Sequence, residues 1–167
     1  MNERIQIVDE NDNLIGHKIR QEMNYDKDIY RSSALWLTNS KGEVLLAQRS
    51  LDKDKDPGLW GPSVAGTVDE GETYDENIYK EAEEEIGLSG YKFKKLKKEY
   101  LPKPRMQFCQ WYSAVVDKPL EYFTLQEDEV EKLAWVSLND LIKDVSDNPN
   151  KYVQSMKEVL DFLENKE

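Results

Sequence analysis

Apolar positions recur with two different periods along the chain, and each change of period marks an element. Arg4 to Val8 and Leu14 to Ile19 alternate apolar and polar around Asp9–Asn13, which predicts a hairpin. Ser33 to Thr38 and Glu43 to Arg49 repeat the alternation and are joined by Asn39-Ser40-Lys41-Gly42, a second hairpin signal. Ser50 to Gly58 is polar, contains Pro57-Gly58 and reads as a loop. Gly61, Pro62 and Gly66 break Trp60 to Val68 into short extended pieces with turns. At Thr73 the period changes to helical, and the run lasts to Ile86. Thr73 and Glu76 have capping-box spacing, and Gly87 stands where a helix end favours a left-handed residue. Lys92 to Leu101, Gln107 to Val116 and Lys132 to Val136 read as strands, and Leu138 to Val145 and Pro149 to Glu164 as helices. Strands dominate the middle, with helices after residue 72 and at the end. This predicts a mixed α/β or α+β sandwich rather than regular βαβ repetition.

Composition narrows the picture. The 167 residues suit one domain, residues 1–167, with its own core. The formal net charge of −11 opposes sequence-independent nucleic-acid binding, so no nucleic-acid partner is expected. The one basic run, Lys92 to Lys98, reads as the exposed face of a strand. No apolar h-region opens the chain and no apolar run is long enough to span a membrane, so no membrane partner is expected. Cys109 is the only cysteine, which rules out an intrachain disulfide and makes the cytoplasm the expected location. The only histidine, His17, reads as a hairpin surface residue and excludes a His-rich metal site. Trp36, Trp60, Phe108, Trp111 and Tyr112 stand at strand spacing, which favours core over base stacking. The oligomeric state, monomer or homodimer, is not legible.

The candidate chemistry lies at the end of the first helix. Glu81, Glu84 and Glu85 are related as i, i+3 and i+4 and share one face, while Ile78, Ala82 and Ile86 form a packing stripe beside them and Glu83 points to solvent. Like charges at these spacings destabilise a helix, and they sit at the negative end of its dipole. A solvated acidic face tolerates that arrangement; a hard divalent cation such as Mg2+ or Mn2+ relieves it.

The residues from Gly66 to Leu88 carry a longer pattern. Gly66 is followed after five residues by Glu72, and after seven more by Lys80-Glu81, an apolar Ala82, Glu84-Glu85, Gly87 and Leu88. This run resembles the Nudix box at every fixed position except Lys80, where the box has arginine. IVDENDNLIGHKIR, YRSSALWLTNSKGEVLLAQRS, PGLWGPSVAG and DEVEKLAWVSL extend the resemblance to the Nudix branch related to isopentenyl-diphosphate isomerase, over most of residues 4–142. The resemblance implies a Nudix-type α/β/α sandwich with a mixed β-sheet. It also implies a Mg2+- or Mn2+-dependent hydrolase that cleaves a nucleoside diphosphate linked to X, its partner being a small nucleotide or diphosphate substrate.

Carried over, it makes Glu81, Glu84 and Glu85 the metal ligands and catalytic carboxylates. Glu72 braces the loop, Gly66 admits backbone to the metal or phosphates, Lys80 pairs with a box carboxylate, and Gly87 closes the helix. Lysine keeps the charge of the box arginine without its bidentate fork. The proton acceptor is Glu81 or one of Glu127, Asp128 and Glu129, of which Glu129 best fits the family pattern. Arg31 and Arg49, at the outer ends of predicted strands, are candidate phosphate clamps. Two rivals stand beside this reading: an isomerase, and a Nudix-fold binding module without catalysis. The isomerase lacks support in Trp60–Gly66, which contains neither Cys nor His.

Overall fold

The computed structural model describes residues 3–103 and 105–164. Among these, nine strands form one mixed sheet: β1 (Arg4–Val8), β2 (Leu14–Ile19), β3 (Ile29–Thr38), β4 (Glu43–Arg49), β5 (Trp60–Gly61), β6 (Val64–Thr67), β7 (Lys94–Leu101), β8 (Gln107–Val115) and β9 (Val130–Ser137). Three α-helices accompany them: α1 (Tyr74–Ile86), α2 (Leu138–Asp147) and α3 (Ser155–Glu164). The central strand is β3. It runs parallel to β8 over its whole length and antiparallel to β1, β6 and β4 in succession on its other edge. β4 in turn pairs with β5 and β9.

Period-two alternation divides the sheet into two faces. Leu35, Leu37, Leu45 and Ala47 point to one side, where they pack with Ile78, Ala82 and Ile86 of α1. Ala34, Trp36, Val44 and Leu46 point to the other, where they meet Leu141 of α2 and Met156, Val159 and Leu160 of α3. The result is the α/β/α sandwich. α1 is held at both ends by its own sequence. The Thr73 hydroxyl accepts the Glu76 N–H and the Glu76 carboxylate accepts the Thr73 N–H, completing the capping box. Gly87 takes φ +66° and its N–H bonds Glu83, while Leu88 N–H reaches back to Ala82.

Two predicted elements differ from those observed by more than two residues at an end. β3 begins at Ile29, four residues before the expected Ser33. The polar Arg31, Ser32 and Ser33 hide its start, because Arg31 is tied to Asp12 and Ser33 donates to Asn77. The predicted helix from Pro149 is a 3-10 turn, Pro149–Lys151, followed by a break before α3. The break has a long-range cause: Tyr152 bridges Trp60 in extended form, and Val153 N–H bonds the Trp60 carbonyl. The basic run lies largely on β7, where Lys95, Lys97 and Lys98 pair with Asp75, Glu99 and Asp12.

Candidate active site

The loop from β6 into α1 is locked by an ionic brace. Lys80 contacts Glu72 at 2.6 Å and Asp69 at 2.9 Å. The Glu72 carboxylate also accepts the Asp69 N–H at 3.1 Å and Asn77 Nδ2 at 2.9 Å. Burial alone would raise Glu72, but the bonds from Lys80 and Asn77 hold it below its ordinary range. Lys80 is likewise raised despite burial, by Glu72 and Asp69.

One turn further the balance reverses. Burial, with Glu84 and Asp69 adding to it against Lys80, pushes Glu81 up to about 7. Glu85 is buried, and desolvation together with the charges of Glu81 and Glu129 raises it well above the usual carboxylate range. The Glu81 side chain lies against Gly66, where an added Cβ would stand 2.3 Å from its carboxyl carbon. Glycine at this position is therefore a steric requirement of Glu81. Asn77, fully buried on α1, joins the two sets: it accepts from Ser33 and donates toward Thr67, Glu72 and Glu81.

Glu81, Glu84, Glu85, Glu129, Gly66 and Arg49 all line a cavity of about 750 Å3. Glu84 is exposed, whereas Glu81 and Glu85 are sunk, so the helix face splits into an outer and an inner part. Glu129 is ion-paired with Lys53, and the neighbouring Glu127 and Asp128 are exposed and do not line the cavity. Arg49 donates to the Lys55 carbonyl at 3.0 Å.

Arg31 corrects an expectation. Its guanidinium bonds the Asp12 carboxylate at 2.7 Å, the Asp12 carbonyl and Gln6, lies over Tyr74, and does not line the cavity. A hairpin turn partner satisfies the fork that the sequence alone would offer to phosphate. His17 also lies outside the cavity, 3.4 Å from Glu70. Trp36, Trp111 and Tyr112 are core, while Trp60 and Phe108 are half-buried.

Residues 30–161 match the NUDIX domain family. The chain belongs to the Nudix family of hydrolases. It is 31% identical over 138 residues to an uncharacterised Nudix hydrolase of Yersinia pestis, spanning 80% of this chain and 72% of that one. To a second, from Pseudomonas aeruginosa, it is 32% identical over 135 residues, spanning 80% and 78%. The fold is similar to that of DR0079 from Deinococcus radiodurans, with TM-score 0.82 and 22% identity over 95% of this chain and 97% of that one. It is also similar to a Caenorhabditis elegans Ap4A hydrolase, with TM-score 0.58 and 20% identity over 81% and 95%.

Lys53, Asp69 and Asn77 are residues of this candidate site that the sequence pattern did not single out. Asn77 carried a signal, a polar residue beside Ile78 on the packing side of α1 and one turn before Glu81. Lys53 carried none, being one of two lysines in a polar loop. Asp69 stands at a variable position of the box, and its Oδ1 is buried without a hydrogen-bond partner among the described residues.

Proposed function

We propose that the protein is a divalent-metal-dependent pyrophosphohydrolase acting on a nucleoside diphosphate linked to X. The observation that carries this reading is the sunken pair Glu81 and Glu85 on the cavity wall, whose proton affinities rise together, with Glu81 lying against Gly66 where a side chain would displace it. Burying two mutually repelling carboxylates is unfavourable unless something compensates them.

The donors fit a hard cation. Glu81, Glu84, Glu85 and the unpartnered Asp69 oxygen are oxygen ligands around one cavity wall. They are not already gathered: among the described residues, no three acidic, histidine or cysteine groups form a cage. Glu81, Glu84 and Glu85 would hold the ion, with Mg2+ or Mn2+ the natural choices. A cation held there would supply charge neutralisation to phosphate oxygens and would lower the pKa of a bound water. Glu81, on the cavity wall beside the place proposed for the ion, is one candidate to accept the proton of the attacking water. Glu129, held by Lys53, is the second candidate for that role. Arg49 on the same cavity is the remaining phosphate clamp of the two arginines considered. The brace of Glu72, Lys80 and Asp69 fixes the loop so that Glu81 stays against Gly66.

The fold neighbour's tetraphosphate dinucleotide and the ADP-ribose bound to the NUDIX domain of Shewanella oneidensis NrtR support a nucleotide substrate. Isomerase chemistry gains no support: the only histidine lies off the cavity, and the one thiol, Cys109, lines the cavity but is almost fully buried, which pushes its pKa up to about 12 and keeps it protonated. The cytoplasm remains the proposed location.

The test is release of nucleotide products (nucleoside monophosphate, with phosphate, pyrophosphate or sugar phosphate as the other half) from nucleoside di- and triphosphates, dinucleotides and nucleotide sugars, with Mg2+, Mn2+ or chelator. Metal-dependent release from at least one class is expected. Binding without release across the panel would favour the silent module, and dimethylallyl diphosphate formed from isopentenyl diphosphate would favour the isomerase.

A further inference from the structure

The loop between β4 and β5 separates its two lysines. Lys53 reaches the Glu129 carboxylate at the acidic wall. Lys55 turns to Tyr25 and lies over its ring. The loop is fixed in this form: Arg49 donates to the Lys55 carbonyl, Gln48 donates to the Gly58 carbonyl, and Asp56 pairs with Arg105. Lys55, Arg105 and Arg20 all line the cavity. Arg105 has Asp56 and Arg20 has Glu3. Among the described residues Lys55 has no acidic partner, and Asp52 and Asp54 of its own loop are not paired with it.

Other described cations also lack an ion pair, but all of these are exposed except Arg49; Lys55 and Arg49 are the half-buried ones, and both line the cavity. Burial lowers the proton affinity of Lys55, and Arg105 and Arg20 lower it further against the opposing pull of Tyr25. A half-buried cation beside two arginines is unfavourable until an anion joins it. At about 750 Å3 the cavity also exceeds what a pyrophosphate alone would fill.

We propose that Lys55, with Arg105 and Tyr25, forms a second anion subsite for a phosphate monoester on the substrate, separate from the scissile pyrophosphate. The inference rests on the hydrolase reading for its substrate class, a nucleoside diphosphate linked to X that bears a further phosphate. Among the described residues Arg105 spends Nη2 alone on Asp56, unlike Arg31 with all three nitrogens bonded, so it can add a further bond to an anion while Lys55 supplies a point charge. Tyr25 walls the ammonium and limits its rotation.

The subsite is tested by equilibrium binding in metal-free buffer, where the acidic wall repels anions and no turnover occurs. Inorganic phosphate should bind the parent saturably at one site. Lys55→Ala should weaken it by about tenfold, the loss of one charge-assisted bond. Lys55→Arg should retain it, and the exposed Lys143→Ala should leave it unchanged, with melting midpoints checked for all variants. ADP-ribose 2′-phosphate should bind the parent about tenfold tighter than ADP-ribose, and Lys55→Ala should abolish the difference. Unsaturable phosphate binding, or binding equal in parent and Lys55→Ala, overturns the subsite. Equal weakening of both ADP-ribose ligands also overturns it, because Lys55 would then hold the pyrophosphate itself. Absence of hydrolysis alongside retained Lys55-dependent binding would sink the hydrolase reading and leave the subsite standing.

Discussion

Glu72 and Glu85 stand at opposite ends of the same loop-helix unit, and their surroundings drive them in opposite directions. Glu72 meets an ammonium, a side-chain amide and a backbone N–H, and is held ionised. Glu85 is more deeply buried, its carboxylate meets only the Ala65 N–H at 3.4 Å among the described residues, and the charges of Glu81 and Glu129 outweigh the more weakly felt Lys53. The partners of Glu72 are supplied within the chain and serve rigidity, although Asp69 of the same brace keeps one buried oxygen unpaired among the described residues. The second is incomplete, and that shortfall supports a functional role: a group that folding leaves uncompensated is one that a ligand can compensate.

The sharpest way to break this contrast is Glu85→Gln. It removes a charge without changing shape, so turnover should fall between about a hundred- and a thousandfold while the metal-free melting midpoint stays level or rises. A variant with parent-like kcat at limiting Mg2+ would remove Glu85 from the site.

The two sets should also respond to pH with opposite sign. Glu81 holds its proton more tightly folded than unfolded, so metal-free stability is greatest below its ordinary value of 4.5 and declines as pH rises toward about 7. A shift of that size corresponds to about 3 kcal/mol. Glu72 contributes the reverse, stability present above its unfolded value and lost as pH falls through its lowered folded one. Urea midpoints measured without metal from pH 4 to pH 8 should show the Glu81 decline in the parent and a flatter curve in Glu81→Gln. An unchanged slope in that variant would contradict the assignment.

Opening the brace is the next test. Lys80→Ala leaves Glu72 and Asp69 facing each other, and because Lys80 is 32% exposed the expected loss is about 2 kcal/mol rather than the larger value of a fully buried pair. Lys80→Arg should keep stability and activity near the parent. If Lys80→Ala unfolds no more easily than the parent, the brace is not what holds the loop.

The smallest effect expected is at the cap. Thr73→Ala removes one capping hydrogen bond and should lower stability by about 1 kcal/mol, with kcat nearly unchanged because Glu81 and Glu85 lie beyond the first turn. A loss of kcat larger than the loss of stability would mean that the helix start steers the carboxylates.

What the chain determined by itself is local. The capping box of Thr73 and Glu76, the left-handed stop at Gly87, and the Ile78, Ala82 and Ile86 stripe are all short-range consequences of residue type and spacing, and α1 forms where they require it. The same holds for the hairpin of β1 and β2 and for the alternation that divides β3 and β4 between two cores. Spacing also brought Glu81, Glu84 and Glu85 to one side of α1, but not their different depths, which depend on the sheet beneath them. Arg31 looked available because its partner, Asp12, sits in a distant turn. The break before α3 was hidden because Trp60 causes it from across the sheet. The division of Lys53 and Lys55 was hidden for the same reason, since Glu129 and Tyr25 are remote in sequence. Backbone preference and periodicity act over a few residues. Desolvation and ion pairing depend on which distant groups share a neighbourhood, and only the tertiary structure decides that.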